Sequence, residues 1–217
     1  DCTAHLIPHP TETYTIGSGK GDYEKAHIPG ADFLDLQQEL SNNTSKLRFT
    51  FPSAEHFSKA IGAHGLSNDN QAILYSTTSP QWATRIWWML RAFGFDNAKV
   101  LDGGLIRWVQ KGYPTSTIPS TYREQSFTAK PRPGLIIQKS EVLEGIHESN
   151  TCIINALSQE QHIGVGGRTY GRPGRIKDSE NVPTTELIDP QTNEFYPAAV
   201  IAERFASVGT QSSDRVP

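Results

Sequence analysis

The sequence predicts an α/β fold, a mostly parallel central sheet flanked by helices, built as one complete unit followed by the first half of another. Three observations carry this. Residues 71–114 read as strand, loop, helix, strand, helix; a Ser-, Thr- and Pro-rich stretch over 115–133 breaks that pattern; and the same order of elements restarts beyond it. Strands that alternate with amphipathic helices are what a parallel sheet requires, because each crossover must carry the chain back to the same end. At 217 residues the chain is long enough for two small domains, each with a core of its own.

Taken in order, Asp1-Cys2-Thr3 reads as the end of a strand and His56 to His64 as a helix followed by Gly65. The apolar run Ala72 to Tyr75 is short enough for a buried strand. Ser79-Pro80 then sets a capping hydroxyl before a proline at the first helical position. From Trp82 the apolar residues Ala83, Ile86, Trp87, Leu90 and Phe93 recur at helical spacing until Gly94 offers a stop. Lys99-Val100-Leu101 starts the next strand, and Asp102, ahead of Gly103-Gly104, is expected to cap the following helix or brace its loop. Trp82, Trp87, Trp88 and Trp108 are expected to fill cores.

Beyond 133, Ser140 is expected to cap a helix reaching Glu148, and Cys152 to Ala156 to form a strand. Asn155-Ala156 then matches Asp1-Cys2, and Arg175-Ile176-Lys177-Asp178-Ser179 matches His27-Ile28-Pro29-Gly30-Ala31. Asn181-Val182-Pro183 follows as Phe33-Leu34 does, Ala199 to Val208 matches His56 to His64, and Gly209-Thr210-Gln211-Ser212 matches Gly65-Leu66-Ser67-Asn68. Matches in one order indicate an internal duplication. In this register Pro217 falls opposite Ile73, so the second copy is expected to stop just before the position that matches Ser76. A sheet without its central strand leaves backbone groups and helix faces uncovered. The second copy is therefore expected to be completed by further sequence, by the first copy or by another chain.

A net charge of −3 and a pI near 6.2, without a long basic block, argue against a general nucleic-acid or membrane-surface binder. No apolar stretch approaches the roughly 20 residues that cross a bilayer, and the cytoplasm is the expected compartment, with the mitochondrion as the alternative. Cys2 and Cys152 offer neither a disulfide framework nor metal-ligand spacing and are expected to be buried thiols, Cys152 dulled by its apolar neighbours. His5 and His9 have helical metal-site spacing, but Pro8 and Pro10 deny them a helix, so no metal is expected. The run Gly164-Val165-Gly166-Gly167 lacks the Lys-Ser/Thr of a phosphate loop and reads as an insertion.

A loop between a parallel strand and a helix gathers several N–H groups at the positive end of the helix dipole, which suits a thiolate, a persulfide or an oxyanion. With Ala26-His27-Ile28-Pro29-Gly30-Ala31 upstream and Leu101-Asp102-Gly103-Gly104, Trp108 and Gly112-Tyr113-Pro114 downstream, this segment resembles the non-catalytic N-terminal domain of tandem rhodaneses, the thiosulfate or mercaptopyruvate sulfurtransferases. The resemblance implies a first rhodanese-like domain over 1–114, a linker over 115–133 and a second, incomplete rhodanese-like domain over 134–217. It implies a cysteine after the strand's tyrosine in an active copy, whereas here Ser76 follows Tyr75. A serine hydroxyl cannot carry the labile persulfide that cysteine can.

The implied reaction moves a sulfane sulfur from a small anionic donor such as thiosulfate to a thiophilic acceptor, through a cysteine persulfide in the second copy's loop and without a metal or organic cofactor. Arg172, Arg175 and Arg168 are the candidate donor-binding residues, since guanidinium groups bind oxyanions and stabilise thiolates. The stretch Leu157 to Gln161 lacks the arginines that mercaptopyruvate-type enzymes carry after this strand, which speaks against that donor. Arg85 is read as a solvated or salt-bridged helix arginine, with a carboxylate across the domain interface as the functional alternative. Two other classes stay open: a catalytically inactive rhodanese-fold module for binding or regulation, and a hydrolase using Ser76. No Gly-x-Ser-x-Gly elbow surrounds that serine and no triad is legible.

Overall fold

A computed structural model describes residues 1–9, 14–166 and 172–210. The chain divides into two units, Asp1–Arg132 and Pro133–Pro217. The first unit runs through β1 (Ala4–Ile7), β2 (Thr15–Ser18), α1 (Lys20–Lys25), α2 (Ala54–Ala63), β3 (Ala72–Leu74), α3 (Gln81–Ala92), β4 (Ala98–Val100) and α4 (Gly104–Gln110). Strands β3 and β4 pair in parallel, Ala72 opposite Ala98 and Leu74 opposite Val100, while β1 and β2 pair antiparallel. The chain start extends the arrangement beside β3: the Cys2 N–H donates to the Tyr75 carbonyl at 2.8 Å, and the Leu34 N–H to the Asp1 carbonyl at 2.9 Å.

The periodicity of α3 decides which face goes inward. Ala83, Ile86 and Leu90 are buried as the spacing requires, together with Trp82 and Met89. Trp87 is half-buried, with its indole N–H donating to the Ala98 carbonyl at 3.1 Å. Against this face pack Phe57 and Ile61 of α2, Leu74 of β3, and Phe93, Phe95 and Phe127. Each such side chain withdrawn from water contributes about 1.5–3 kcal/mol. The start of α3 differs slightly from the expectation: Pro80 already has helical angles, and Ser79 Oγ stands 3.4 Å from the Gln81 N–H, a weak cap.

The Ser-, Thr- and Pro-rich segment, read from its composition as a linker, packs on the first unit as an extended strap. The Gln125 N–H donates to the Gly62 carbonyl at 2.9 Å, Ala129 N–H to Ser58 Oγ at 2.9 Å, Lys130 N–H to the Phe93 carbonyl at 2.7 Å and Arg132 N–H to the Ala92 carbonyl at 2.8 Å. Phe127 anchors it in the core, and a Cβ on Gly62 would collide with the Gln125 carbonyl oxygen. A strap held by backbone groups and one aromatic leaves no periodic trace in the sequence.

The second unit contains α5 (Lys139–Gly145), β5 (Ile154–Asn155), α6 (Gln159–Ile163), β6 (Glu180–Asn181), a 3-10 turn (Thr184–Leu187) and α7 (Ala198–Ser207), with β5 and β6 parallel. Two expectations need correction. Ser140 lies inside α5, whose N-terminal residue Gln138 donates its N–H to Glu141 Oε2 at 2.8 Å, so the carboxylate reaching back fixes the start. Cys152 is half-buried rather than buried: it precedes a strand of only two residues, Ile154–Asn155, both themselves half-buried, and its Sγ lies 3.6 Å from Thr210 Oγ1. Unlike α2, helix α7 fully buries no residue. Gly167 of the glycine run, and Gln211 to Pro217 of the proposed repeat, lie outside the described residues.

Candidate active-site loop

Strand β3 delivers the chain to Ser76, which opens the loop leading to α3. Ser76 is 1% exposed, and its hydroxyl donates to the Ser79 carbonyl at 2.5 Å. Its own carbonyl accepts from the Leu105 N–H at 3.2 Å, at the start of α4. Gly104, at φ +52, lies so close that a Cβ there would collide with the Ser76 carbonyl oxygen. The paired glycines thus let α4 seat against the loop. Gly103, at φ +73, occupies the N-cap without a side-chain bond, so exposed Asp102 does not cap this helix.

A second contact closes the loop from the other side. The Thr77 N–H donates to Thr3 Oγ1 at 2.8 Å, Thr3 Oγ1 donates to Asp1 Oδ1, and Asp1 Oδ1 also accepts the Thr3 N–H at 2.8 Å. Asp1 Oδ2 lies 3.5 Å from Thr77 Oγ1. Ser76 therefore has a carbonyl as its partner rather than an imidazole or carboxylate, which removes the base a serine nucleophile needs.

The motif around His27 braces this loop from beneath. His27 is fully buried, with Nδ1 2.6 Å from the Tyr23 carbonyl, Nε2 3.0 Å from the Ile118 carbonyl, and its ring stacked on Tyr23 at 4.0 Å. The Ile28 N–H donates to the Tyr75 hydroxyl at 3.1 Å, and burial pushes the Tyr75 phenol well above its ordinary pKa. Burial likewise pushes the Cys2 thiol up, which leaves it a structural side chain.

Among the described residues of the first unit, Arg85 meets a carbonyl rather than a carboxylate. Its Nη2 donates to the Phe49 carbonyl at 2.9 Å, its guanidinium lies 5.0 Å from the Phe51 ring centre, and its buried Nε has no partner among the described residues. Burial lowers its pKa. The residue it grips, Phe49, has φ +56, an uncommon conformation for a bulky side chain. Arg85 therefore holds down the loop before α2.

Of the three donor-binding candidates, Arg172 and Arg175 are exposed and Arg168 lies outside the described residues. Near Arg175 stands His162 on α6, 8% exposed, with Nδ1 unpartnered among the described residues; burial, then the Arg175 charge, lower its pKa. A second cluster also escaped the sequence reading: His64 at the end of α2 stands with Nδ1 2.7 Å from Asp32 Oδ2 and Nε2 3.0 Å from Glu39 Oε1. Asp32 and then Glu39 raise its pKa to about 9. His64 and Asp32 line a cleft of about 420 Å³ together with Gly30, Leu34, Ile73 and Tyr122. Their partners are 32 and 25 positions away in sequence, beyond any local pattern. Among the described residues no group of three His, Cys, Asp or Glu is placed to hold a metal ion.

A parallel β–loop–α–β–α arrangement with this loop, paired glycines and buried His27 defines the rhodanese fold. Residues 18–111 match the rhodanese-like domain. The chain is 31% identical to thiosulfate sulfurtransferase from Rattus norvegicus over 171 residues, 75% of this chain and 56% of that protein. It is 32% identical to 3-mercaptopyruvate sulfurtransferase from Mus musculus over 177 residues, 80% of this chain and 58% of that protein. The crystal structure of SseA from Escherichia coli, a 3-mercaptopyruvate sulfotransferase, superposes with a TM-score of 0.80 at 29% identity, covering 92% of this chain and 74% of that one. The chain thus carries a rhodanese-like domain and is similar, over three quarters or more of its own length, to these sulfurtransferases. It spans little more than half the length of the rat and mouse relatives.

Proposed function

We propose that the protein carrying this chain transfers a sulfane sulfur from a small anionic donor, thiosulfate or a related compound, to a thiophilic acceptor, and that the first unit is its non-catalytic scaffold. The observation that carries this reading is the buried Ser76, at the position of the family's cysteine, with its hydroxyl committed to the Ser79 carbonyl. The nucleophile is then a cysteine outside residues 1–217, in the matching loop of the second copy. The duplication is supported by α2 and α7, each of which is followed by a glycine of positive φ, Gly65 (+76) and Gly209 (+79). Arg172, Arg175 and Arg168 are proposed to attract the donor, and the exposure of the first two leaves them free to meet it.

The test is thiocyanate formation from thiosulfate and cyanide by the natural full-length protein. Turnover that is abolished by replacing its second-copy loop cysteine with serine is expected. A full-length protein that turns over neither thiosulfate nor mercaptopyruvate would favour the alternative, an inactive rhodanese-fold module for binding or regulation.

A further inference from the structure

The first unit's loop differs from a thiolate cradle by more than one atom. A cradle needs N–H groups turned toward the sulfur. Here the group turned toward side chain 76 is the Ser79 carbonyl, while the first amide of the loop, Thr77 N–H, is directed away onto Thr3 Oγ1. Thr3 is in turn held by the Asp1 carboxylate, itself in contact with Thr77 Oγ1, so a fixed negative charge stands beside the loop. Both Thr3 and Ser76 are 1% exposed, which keeps water from replacing either bond.

We infer that Thr3, fixed by Asp1, is a positioning residue that locks the loop after β3 in a form unable to hold a thiolate, so that the first unit is silenced by the lock as well as by Ser76. This rests on the reading of the first unit as a non-catalytic rhodanese domain. A cysteine placed at 76 meets a carbonyl oxygen and an acidic neighbour, both of which disfavour the thiolate, and its pKa stays at or above the ordinary 8.5 or so. Freeing the Thr77 N–H removes one of these restraints and supplies one donor. The thiolate would then attack the outer sulfur of thiosulfate, forming Cys–S–S⁻ as the S–S bond of thiosulfate breaks and sulfite leaves.

The experiment compares S76C, S76C/T3V and S76C/T3S in the 217-residue chain, reading alkylation of residue 76 by iodoacetamide against pH and the 32 Da persulfide adduct after thiosulfate, both by peptide mass. S76C and S76C/T3S are expected to alkylate slowly at neutral pH and to carry no adduct. S76C/T3V is expected to alkylate about tenfold faster, with its pH midpoint about one unit lower, consistent with one amide donor regained. S76C reacting as fast as S76C/T3V, S76C/T3V reacting no faster than S76C, or S76C/T3V losing its cooperative thermal transition would each overturn the lock, the last by making Thr3 a core residue. The alkylation arm does not depend on sulfur transfer, so a failure of the proposed sulfurtransferase activity is seen separately.

Discussion

Ser76 and Gly104 show how single positions shape the first unit. Gly104 combines a left-handed backbone with contact against the Ser76 carbonyl, so Gly104→Ala meets both a conformational penalty and a collision. The replacement is expected to destabilise the first unit by about 2–3 kcal/mol, lowering its melting temperature by roughly 10 °C. A calorimetric shift below 2 °C or so would show that the loop can yield. The pair Gly103-Gly104 is visible in the sequence but its purpose is not, since the Ser76 carbonyl it accommodates comes from the loop after β3, far away in the chain. Of the two roles expected for Asp102, the cap does not form, because the local rule for caps ignores an N-terminus already shaped by a left-handed glycine.

His64 gives the second prediction at this scale. Its folded pKa, about 9, exceeds the ordinary 6.5, so its contribution is fully present below pH 6.5 and is lost as pH rises through 9. For Asp32 and Glu39 burial raises the pKa, but the His64 hydrogen bonds, with backbone N–H bonds from Phe33 and Asp35, outweigh it and leave both below their ordinary values. Their contribution is therefore present above the ordinary carboxylate range and fades as pH falls through it. With half-exposed partners screened by water, the cluster contributes on the order of 1–2 kcal/mol. Thermal melts are expected to decline between pH 6.5 and 9 in the parent chain, and His64→Gln to flatten that slope; an unchanged slope would show that His64 is not charged there.

At the scale of elements, amphipathic periodicity gave α3 and its buried face, and short apolar runs gave β3 and β4. What periodicity cannot report is the strap over 115–132, whose stability comes from its backbone N–H bonds to α2 and the end of α3 and from Phe127. Removing that ring leaves a cavity among Phe57, Phe93 and Phe95. Phe127→Ala is expected to cost about 3–5 kcal/mol in denaturant unfolding of the first unit. A loss under 1 kcal/mol would return the segment to the linker its composition suggested. The second unit's elements were also legible in order, yet their short strands and the shallow burial of α7 were not, because burial depends on what packs alongside.

For the whole molecule, the rhodanese-like match over residues 18–111 agrees with motifs that stand in the right order in the sequence. The candidate arginines show the limit of motif reasoning: a guanidinium in sequence carries no direction, and Arg172 and Arg175 prove exposed rather than gathered around a described site. If they attract the donor, charge reversal at Arg172 in the active full-length protein should raise KM for thiosulfate severalfold while leaving kcat nearly unchanged, with the effect shrinking at high salt. Equal KM values for the two proteins would remove Arg172 from the donor's path.

The central claim is that residues 1–217 supply scaffold and not nucleophile. Incubating this chain with thiosulfate, then measuring both thiocyanate release to cyanide and protein-bound persulfide by mass, tests it most directly. The account predicts turnover at background and no 32 Da adduct. Turnover that survives replacement of both Cys2 and Cys152 by serine would contradict it.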